Sequence, residues 1–290
     1  MSLFSRSPEE FDPDSYLARI GYTGDRAPSL QTLQAIALRH PISIPFENLD
    51  AFLRRPIELD PASLQRKLVD SRRGGWCFEH NILLGHALTS LGFKVTGLAA
   101  RVVWDAPPDV VRPRSHMVLL VRVPGDAASA GHSGDGGYLV DAGFGGLTLT
   151  GVLRFAAGIE QETPHEPFRL EGEDSTFTVQ AKIRGEWKVL YRFDTNPQAL
   201  ADYEVSNWYL CHHPASHFLS TLIAARVEPD RRYALRNTEV AVHHRDGRSE
   251  RRTLSSAREM RQVLDDLFHV DVPAGRDVDG ALGRVIQAAT

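Results

Sequence analysis

Cysteine is scarce in this sequence: Cys77 and Cys211 are the only two among 290 residues. Two thiols so far apart form neither a disulfide framework nor the paired spacing of a zinc site. Any cysteine function here is therefore thiol chemistry. Excess positive charge is missing too: the formal net charge is −4, which leaves no basic footprint for nucleic acid. The one dense basic run, Arg248 to Arg252, follows Asp246-Gly247 and reads as a solvated hairpin turn. No stretch approaches 18 apolar residues without a charge, as a membrane-spanning helix requires. The segment Ser7-Pro8-Glu9-Glu10-Phe11-Asp12 lacks the basic and apolar regions of a secretory signal, so a cytoplasmic protein is expected. Internal repeats are absent, and low complexity is confined to Gly125–Gly137, which reads as a flexible loop. At 42% hydrophobic and 24% charged residues, the composition is that of an ordinary globular protein, long enough for one to three compact units.

What is present divides by pattern. The first ninety or so residues read as helices. Asp12-Pro13 starts one, Ser29 caps Leu30 to Arg39 with Leu30, Leu33 and Ala37 on one face, and Asp60-Pro61 offers an N-cap followed by proline at the first helical position. From Lys94 strands take over: Val95–Trp104, His116–Val123, Tyr138–Phe144, Phe177–Ile183 and Trp187–Phe193, with Arg184-Gly185-Glu186 as a turn. These predict an antiparallel barrel or sandwich. A mixed tail follows, with helix at Ala199–Leu210 and Phe218–Arg226, a hairpin from Tyr233–Val242 and Arg251–Leu254, and a helix at Ala257–Phe268.

The run Arg73-Gly74-Gly75-Trp76-Cys77-Phe78-Glu79-His80-Asn81 sets a thiol where a glycine turn gives way to a helix. Cys77, Leu84, Leu88 and Leu91 share one face, and Gly92 ends it. Unpaired backbone N–H groups and the positive end of the helix dipole favour a negative sulfur in a first turn, and such sites lower a thiol pKa from about 8.5 to about 3.5–7.5. Taken alone, Cys77 reads equally well as a small apolar filler.

A thiolate needs a partner to hold its proton, and imidazole is the usual one. His116 opens the apolar strand Ser115-His116-Met117-Val118-Leu119-Leu120-Val121, and Asp141 sits in Tyr138-Leu139-Val140-Asp141-Ala142-Gly143-Phe144, where a charge needs a partner. Paired as a hairpin with His116 facing Asp141, the register puts Val123 opposite Gly134 and leaves Pro124 to Ser133 as the loop. Directly opposed residues point to one face within reach of a hydrogen bond. Singly, His116 reads as a satisfied core histidine and Asp141 as a strand-end carboxylate. Together with Cys77 they read as Cys, His and Asp.

That order, with its surroundings, resembles the arylamine N-acetyltransferases. The resemblance runs through Pro45-Phe46-Glu47-Asn48-Leu49, the Arg73–Asn81 run, Ser115-His116-Met117, Val140-Asp141-Ala142-Gly143-Phe144-Gly145 and Asn207-Trp208-Tyr209, five motifs in family order. It implies an α+β fold: an N-terminal helical bundle carrying the nucleophile (1–92), a central antiparallel β-barrel carrying His and Asp (93–196) and a C-terminal α/β lid (197–290), around a cysteine-protease-like Cys-His-Asp core. The family's catalytic residues match Cys77, His116 and Asp141, and the aromatic residues lining its acceptor pocket match Phe46 and Phe144, which would otherwise pass as plain core residues. Acetyl-CoA is the implied cosubstrate, small aromatic amines or hydrazines the implied acceptors, extending to the oxygen of N-hydroxyarylamines, with no metal, nucleic acid or membrane partner. No residue is assigned to CoA, since no Gly-rich phosphate loop leads a strand into a helix: Gly143-Phe144-Gly145-Gly146 runs into Leu147-Thr148-Leu149-Thr150, which reads as β or loop. Oligomeric state is not assigned either. Two departures stand out, a longer loop before Asp141 and cysteine rather than serine at Cys211. Consecutive Cys211, His212 and His213 cannot face one metal from a regular helix.

The implied reaction is a ping-pong acetyl transfer through acetyl-cysteine. A cysteine hydrolase or amidase would use the same Cys-His-Asp set, an amide synthase of the same fold would use a larger acyl donor, and a non-catalytic binding module would keep the fold with an inert thiol.

Overall fold

The computed structural model describes residues 3–4, 11–107, 110–129, 136–173 and 175–288. Three of its helices begin at the expected caps. Asp12 accepts from the Asp14 backbone ahead of α1 (Pro13–Arg19), Ser29 accepts from Thr32 ahead of α2 (Leu30–Ser43), and Asp60 accepts from Ser63 at a later helix start. Each satisfies an N–H that the helix itself leaves unpaired. After α2 come a two-residue strand β1 (Phe46–Glu47), α3 (Leu49–Phe52) and α4 (Pro61–Leu64), which continues as a π-helical stretch over Gln65–Asp70. The helix α5 (Cys77–Ser90) then runs to Gly92, whose φ of 94° takes the left-handed conformation that ends it.

The middle of the chain forms one eight-stranded antiparallel sheet from β2 (Lys94–Val102), β3 (His116–Arg122), β4 (Tyr138–Val140), β5 (Leu153–Arg154), β6 (Glu160–Gln161), β7 (Phe168–Glu173), β8 (Thr176–Ile183) and β9 (Glu186–Pro197). The strand order is β5-β4-β3-β2-β9-β8-β7-β6. It curls into a nearly closed barrel. At the seam, the Gln161 amide stands in for a ladder pair: it accepts from Arg154 N at 2.8 Å and donates to Arg154 O at 3.0 Å. The barrel interior holds Leu98, Val118, Leu120, Leu139, Leu170, Val179 and Tyr191. Alternate residues of the same strands, Met117, Leu119, Val121 and Val140, face the other way into a core shared with α1, α2 and α5. At the β8–β9 turn, Arg184 and Gly185 both have positive φ, as a two-residue type I′ hairpin requires.

The last stretch contains α6 (Leu200–His212), β10 (Ile223–Glu228), β11 (Arg231–Arg236), β12 (Glu239–His244), β13 (Ser249–Thr253), α7 (Ala257–Asp266) and α8 (Arg276–Gln287). Helix α6 packs Tyr203, Leu210 and Cys211 into the core of the helical region. The four strands form a second sheet, ordered β1-β10-β11-β12-β13, so its first strand comes from the N-terminal region: Phe46 pairs with Ala225 and Glu47 with Ala224. Helices α7 and α8 cover this sheet through Met260, Leu264, Val278 and Leu282. Among the described residues, no helix is long and apolar enough to cross a membrane.

Four sequence expectations are corrected. Phe218–Arg226 is not a helix: a 3-10 turn at His217–Leu219 gives way to β10, because backbone pairing with both β1 and β11 outweighs local propensity. Tyr233–Val242 is not one continuous arm: Asn237, at φ 52°, turns it into β11 and β12, and asparagine tolerates that conformation. The strand at Tyr138 stops at Val140 rather than Phe144. Its register against β3 sets Leu119 opposite Val140 and Val121 opposite Tyr138, two positions away from the expected pairing. The expected partner of Val123, Gly134, and residues 130–133 of the expected loop lie outside the described residues. The unforeseen β7 and α8 complete the two sheets' surroundings.

Candidate active site

Cys77 is the first residue of α5 and is almost wholly buried. The preceding Arg73–Trp76 segment is held by charge. Arg73 pairs with Glu47 at 2.6 Å, Lys67 with Glu79 at 2.6 Å and with Asp50 at 2.7 Å, and Glu79 reaches back to the Trp76 N–H at 3.0 Å. A carboxylate three residues into a helix that bonds the N-cap N–H fixes the entry of the chain, and here that entry delivers Cys77. The thiol also points at the Ser115 carbonyl, 3.6 Å away.

His116 and Asp141 come together despite the corrected register. A shift of two positions preserves the face on which side chains point, so the two become diagonal neighbours and not opposed ones. His116 Nε2 lies 2.7 Å from Asp141 Oδ2. With Nε2 committed to the carboxylate, Nδ1 is left for the thiol, and the Cys77 and His116 side chains interact directly. Burial disfavours the imidazolium, but the adjacent Asp141 carboxylate and then Cys77 outweigh it and push His116 up to about 10. Burial likewise opposes ionisation of Asp141, yet His116 and the hydrogen bonds from Gly143 N and Asn81 hold the carboxyl below its ordinary range. Geometry and charge together favour an imidazolium–carboxylate pair.

Two residues of this cluster had no assigned role in the sequence. Asn81, one turn beyond Cys77 on α5, donates from Nδ2 to Met117 O at 2.7 Å and to Asp141 Oδ1 at 3.1 Å, while its Oδ1 accepts from Ala142 N at 3.1 Å. It thereby ties the nucleophile's helix to both strands that carry the other two groups. Its spacing of four residues from Cys77, one turn along a shared helix face, was the available signal. Tyr191 packs against His116 with ring centroids 5.0 Å apart and planes tilted by 52°, and burial together with the facing Asp141 carboxylate raises its hydroxyl well above the ordinary phenol range. Nothing in the local pattern of β9 distinguishes it from its neighbour Phe193.

The segment after Asp141 wraps the nucleophile. A side chain at Gly143 would run into Cys77 Cα, Phe144 meets His116 edge-on at 5.4 Å, and Gly145 lies over the Phe46 ring. Phe46 and Phe144, the two expected pocket aromatics, therefore both belong to the surroundings of the loop that packs on Cys77, Phe144 as part of it and Phe46 against its Gly145, and both are only partly buried. Cys211 lies apart, packed in the helical core with its thiol pushed up to about 12 by burial and then by Glu79. His212 bonds Trp208 O and stacks on Trp208, and His213 stacks on Tyr209, so the three consecutive groups diverge. Among the described residues, no cluster of three His, Cys, Asp or Glu side chains can hold a metal.

This arrangement can activate a thiol as a nucleophile near two partly exposed phenylalanine rings. Comparison with known proteins narrows the chemistry. A family model described as N-acetyltransferase matches residues 29–277. An arylamine N-acetyltransferase of Mycolicibacterium smegmatis is 46% identical over 95% of this chain and 98% of its own length. A Salmonella typhimurium protein named arylamine N-acetyltransferase / N-hydroxyarylamine O-acetyltransferase is 36% identical over 89% of this chain and 88% of its own. The structure of Mycobacterium marinum arylamine N-acetyltransferase in complex with CoA superposes with a TM-score of 0.88 at 40% identity, covering 94% of this chain and 99% of that one.

Proposed function

The chain belongs to the arylamine N-acetyltransferase family, and from that premise we propose how its own residues transfer an acetyl group from acetyl-CoA to the nitrogen of an arylamine or arylhydrazine. Cys77 is the nucleophile. His116 Nδ1 takes its proton, and the thiolate so formed attacks the thioester carbonyl. As the carbon–sulfur bond to CoA breaks, the imidazolium protonates the departing thiolate, leaving neutral His116 and an acetyl-cysteine. The amine then attacks that carbonyl, His116 takes the amine proton, and the Cys77–carbonyl bond breaks to restore the ion pair. Asp141 holds the imidazole with Nδ1 toward sulfur and stabilises its charged form.

The observation that most supports this reading is the 2.7 Å His116–Asp141 bond, buried beside a thiol at the first turn of α5. An arylamine suits such a site because its lone pair delocalises into the ring, so the nitrogen is neutral at pH 7, while an alkyl amine is mostly protonated and cannot attack. Phe46 and Phe144 supply faces on which the ring can stack. The Salmonella relative's name extends the acceptors to N-hydroxyarylamine oxygen. In this reading the chain works as three units, 1–92, 93–196 and 197–290, the last acting as a lid that keeps water from the acetyl-cysteine.

Intact mass measurement after acetyl-CoA, followed by peptide mapping, tests the reading. One acetyl group on the Cys77 peptide, lost on addition of an aromatic amine with appearance of the amide, is expected. Amide or peptide cleavage with no acetyl-enzyme would instead establish a hydrolase.

A further inference from the structure

Three buried polar rings run in series from α1 to the segment that carries Phe46. Tyr16 Oη lies 2.8 Å from His40 Nδ1, His40 Nε2 lies 2.9 Å from His80 Nδ1, and His80 Nε2 lies 3.1 Å from the Pro45 carbonyl. All three side chains belong to fully buried residues. Their protons can be placed by elimination. A carbonyl only accepts, so His80 carries its proton on Nε2, and a neutral imidazole then presents a lone pair at Nδ1. His40 must therefore donate from Nε2 and accept at Nδ1, and the Tyr16 hydroxyl must donate. Burial keeps both rings neutral, with His80 pushed down to about 4 and His40 also well below its ordinary value. One arrangement of three protons satisfies every donor and acceptor in the series.

The far end of the series sits beside the site. The Pro45 carbonyl also accepts from Gly75 N at 3.3 Å, and Glu47 N donates back to Gly75 O at 2.9 Å, forming a parallel bridge between Phe46 and Gly75. Gly75 lies two residues before the nucleophile. A side chain at Gly74 would collide with the same carbonyl. The Phe46 ring lies parallel to His80, at an interplanar angle of 4° and 6.5 Å between centroids. His80 thus anchors, from α5 itself, the backbone that carries Phe46 past Cys77.

We propose that the Tyr16–His40–His80 series is a positioning device for the acceptor, holding Phe46 at a fixed offset from Cys77 so that the aromatic face is preformed for the arylamine ring. None of the three touches Cys77, and their effect is transmitted through the Pro45 carbonyl. The proposal rests on the acetyl-transfer reading above, with Phe46 lining the acceptor space.

The test separates the two half-reactions in the full-length chain carrying His80→Leu, His80→Gln or Tyr16→Phe. One measurement is the single-turnover rate of Cys77 acetylation by acetyl-CoA without amine, and the other is the arylamine KM at saturating acetyl-CoA. His80→Leu removes the donor and is expected to raise the arylamine KM about tenfold, the equivalent of ~1.4 kcal/mol, with Cys77 acetylation within about twofold of the parent. His80→Gln, whose amide N–H can reach the carbonyl, restores most of the KM. The near-isosteric Tyr16→Phe raises KM less than His80→Leu and decides the matter if that variant does not fold. An unchanged KM in Tyr16→Phe and His80→Leu, or a parallel fall in both half-reactions, overturns the proposal. A parent protein that never acquires acetyl on Cys77 would instead overturn the reading on which it rests.

Discussion

Asn81 satisfies three groups with one side chain, and all three bonds run to β3 and to the end of β4, where His116 and Asp141 sit. Truncating such a buried amide strands its partners at about 1–3 kcal/mol. Asn81→Ala should lower stability by that order, measured by denaturant unfolding, and should lower kcat as well, because Asp141 Oδ1 loses one of its two donors and keeps only Gly143 N. At Cys77 and Asp141 the effect falls on chemistry. Cys77→Ser should abolish acetyl-enzyme formation, and Asp141→Asn should cut turnover by roughly 10²–10⁴-fold and also lower the melting temperature, because buried His116 loses its carboxylate partner. Near-normal acetyl transfer by Cys77→Ser would remove the nucleophile assignment. The histidines make pH predictions of opposite sign. His116, raised to about 10, contributes stability that is complete below its ordinary value of about 6.5 and is lost as pH rises from there to about 10. His80 and His86 are pushed down to about 4 by burial, so between about 6.5 and 4 the unfolded chain binds protons that the folded one refuses, and stability falls as pH drops through that window. Denaturation midpoints across pH 4–7 should therefore slope less steeply in His80→Gln than in the parent. At this scale the sequence already pointed to Cys77, His116 and Asp141, since a charge or imidazole in an apolar strand stands out. It was silent on Tyr191, a tyrosine in a strand of aromatics.

Elements were legible where a single side chain decides a boundary. Asp12, Ser29 and Asp60 cap helices in the structure as their positions suggested, and Gly92 ends α5. Boundaries decided by partners far along the chain were not legible. Residues 223–228 become a strand only because β1 and β11 flank them, and the β3–β4 register depends on a connection whose composition does not fix it. The connection between strand and helix at Gly143 is tighter than its sequence suggests. It has no room for a methyl group against Cys77 Cα, so Gly143→Ala should push the loop off α5 and depress acetylation of Cys77, and a stopped-flow acetylation rate matching the parent's would contradict this. Asn48, just after β1, performs a corresponding task where the N-terminal region meets the start of β10. Its amide donates to Phe218 O and Thr221 O and accepts from Ile223 N. Asn48→Ala should loosen the last unit and raise acetyl-CoA hydrolysis relative to amine acetylation, a ratio readable from CoA release against amide formation.

For the whole molecule, an α+β architecture with a β-barrel between helices and a mixed tail was readable from the change of hydrophobic period near Lys94. How the parts interlock was not, because α6 packs into the first core while β1 completes the last sheet. A truncation that tests the lid must therefore cut after α6, sparing Tyr203, Asn207 and Leu210. Removal of residues beyond about 214 should raise hydrolysis over transfer, and an unchanged ratio in a folded truncation would count against closure. The interlocking also sets a timetable for synthesis. Phe46 and its partner Ala225 are separated by about 180 positions, and at about 5–20 residues per second β1 waits on the order of 10–40 s before its neighbour leaves the ribosome. Throughout that interval the segment flanking Phe46 offers an unpaired edge, so the nascent chain is most exposed to misassociation at the strand that later borders the acceptor space.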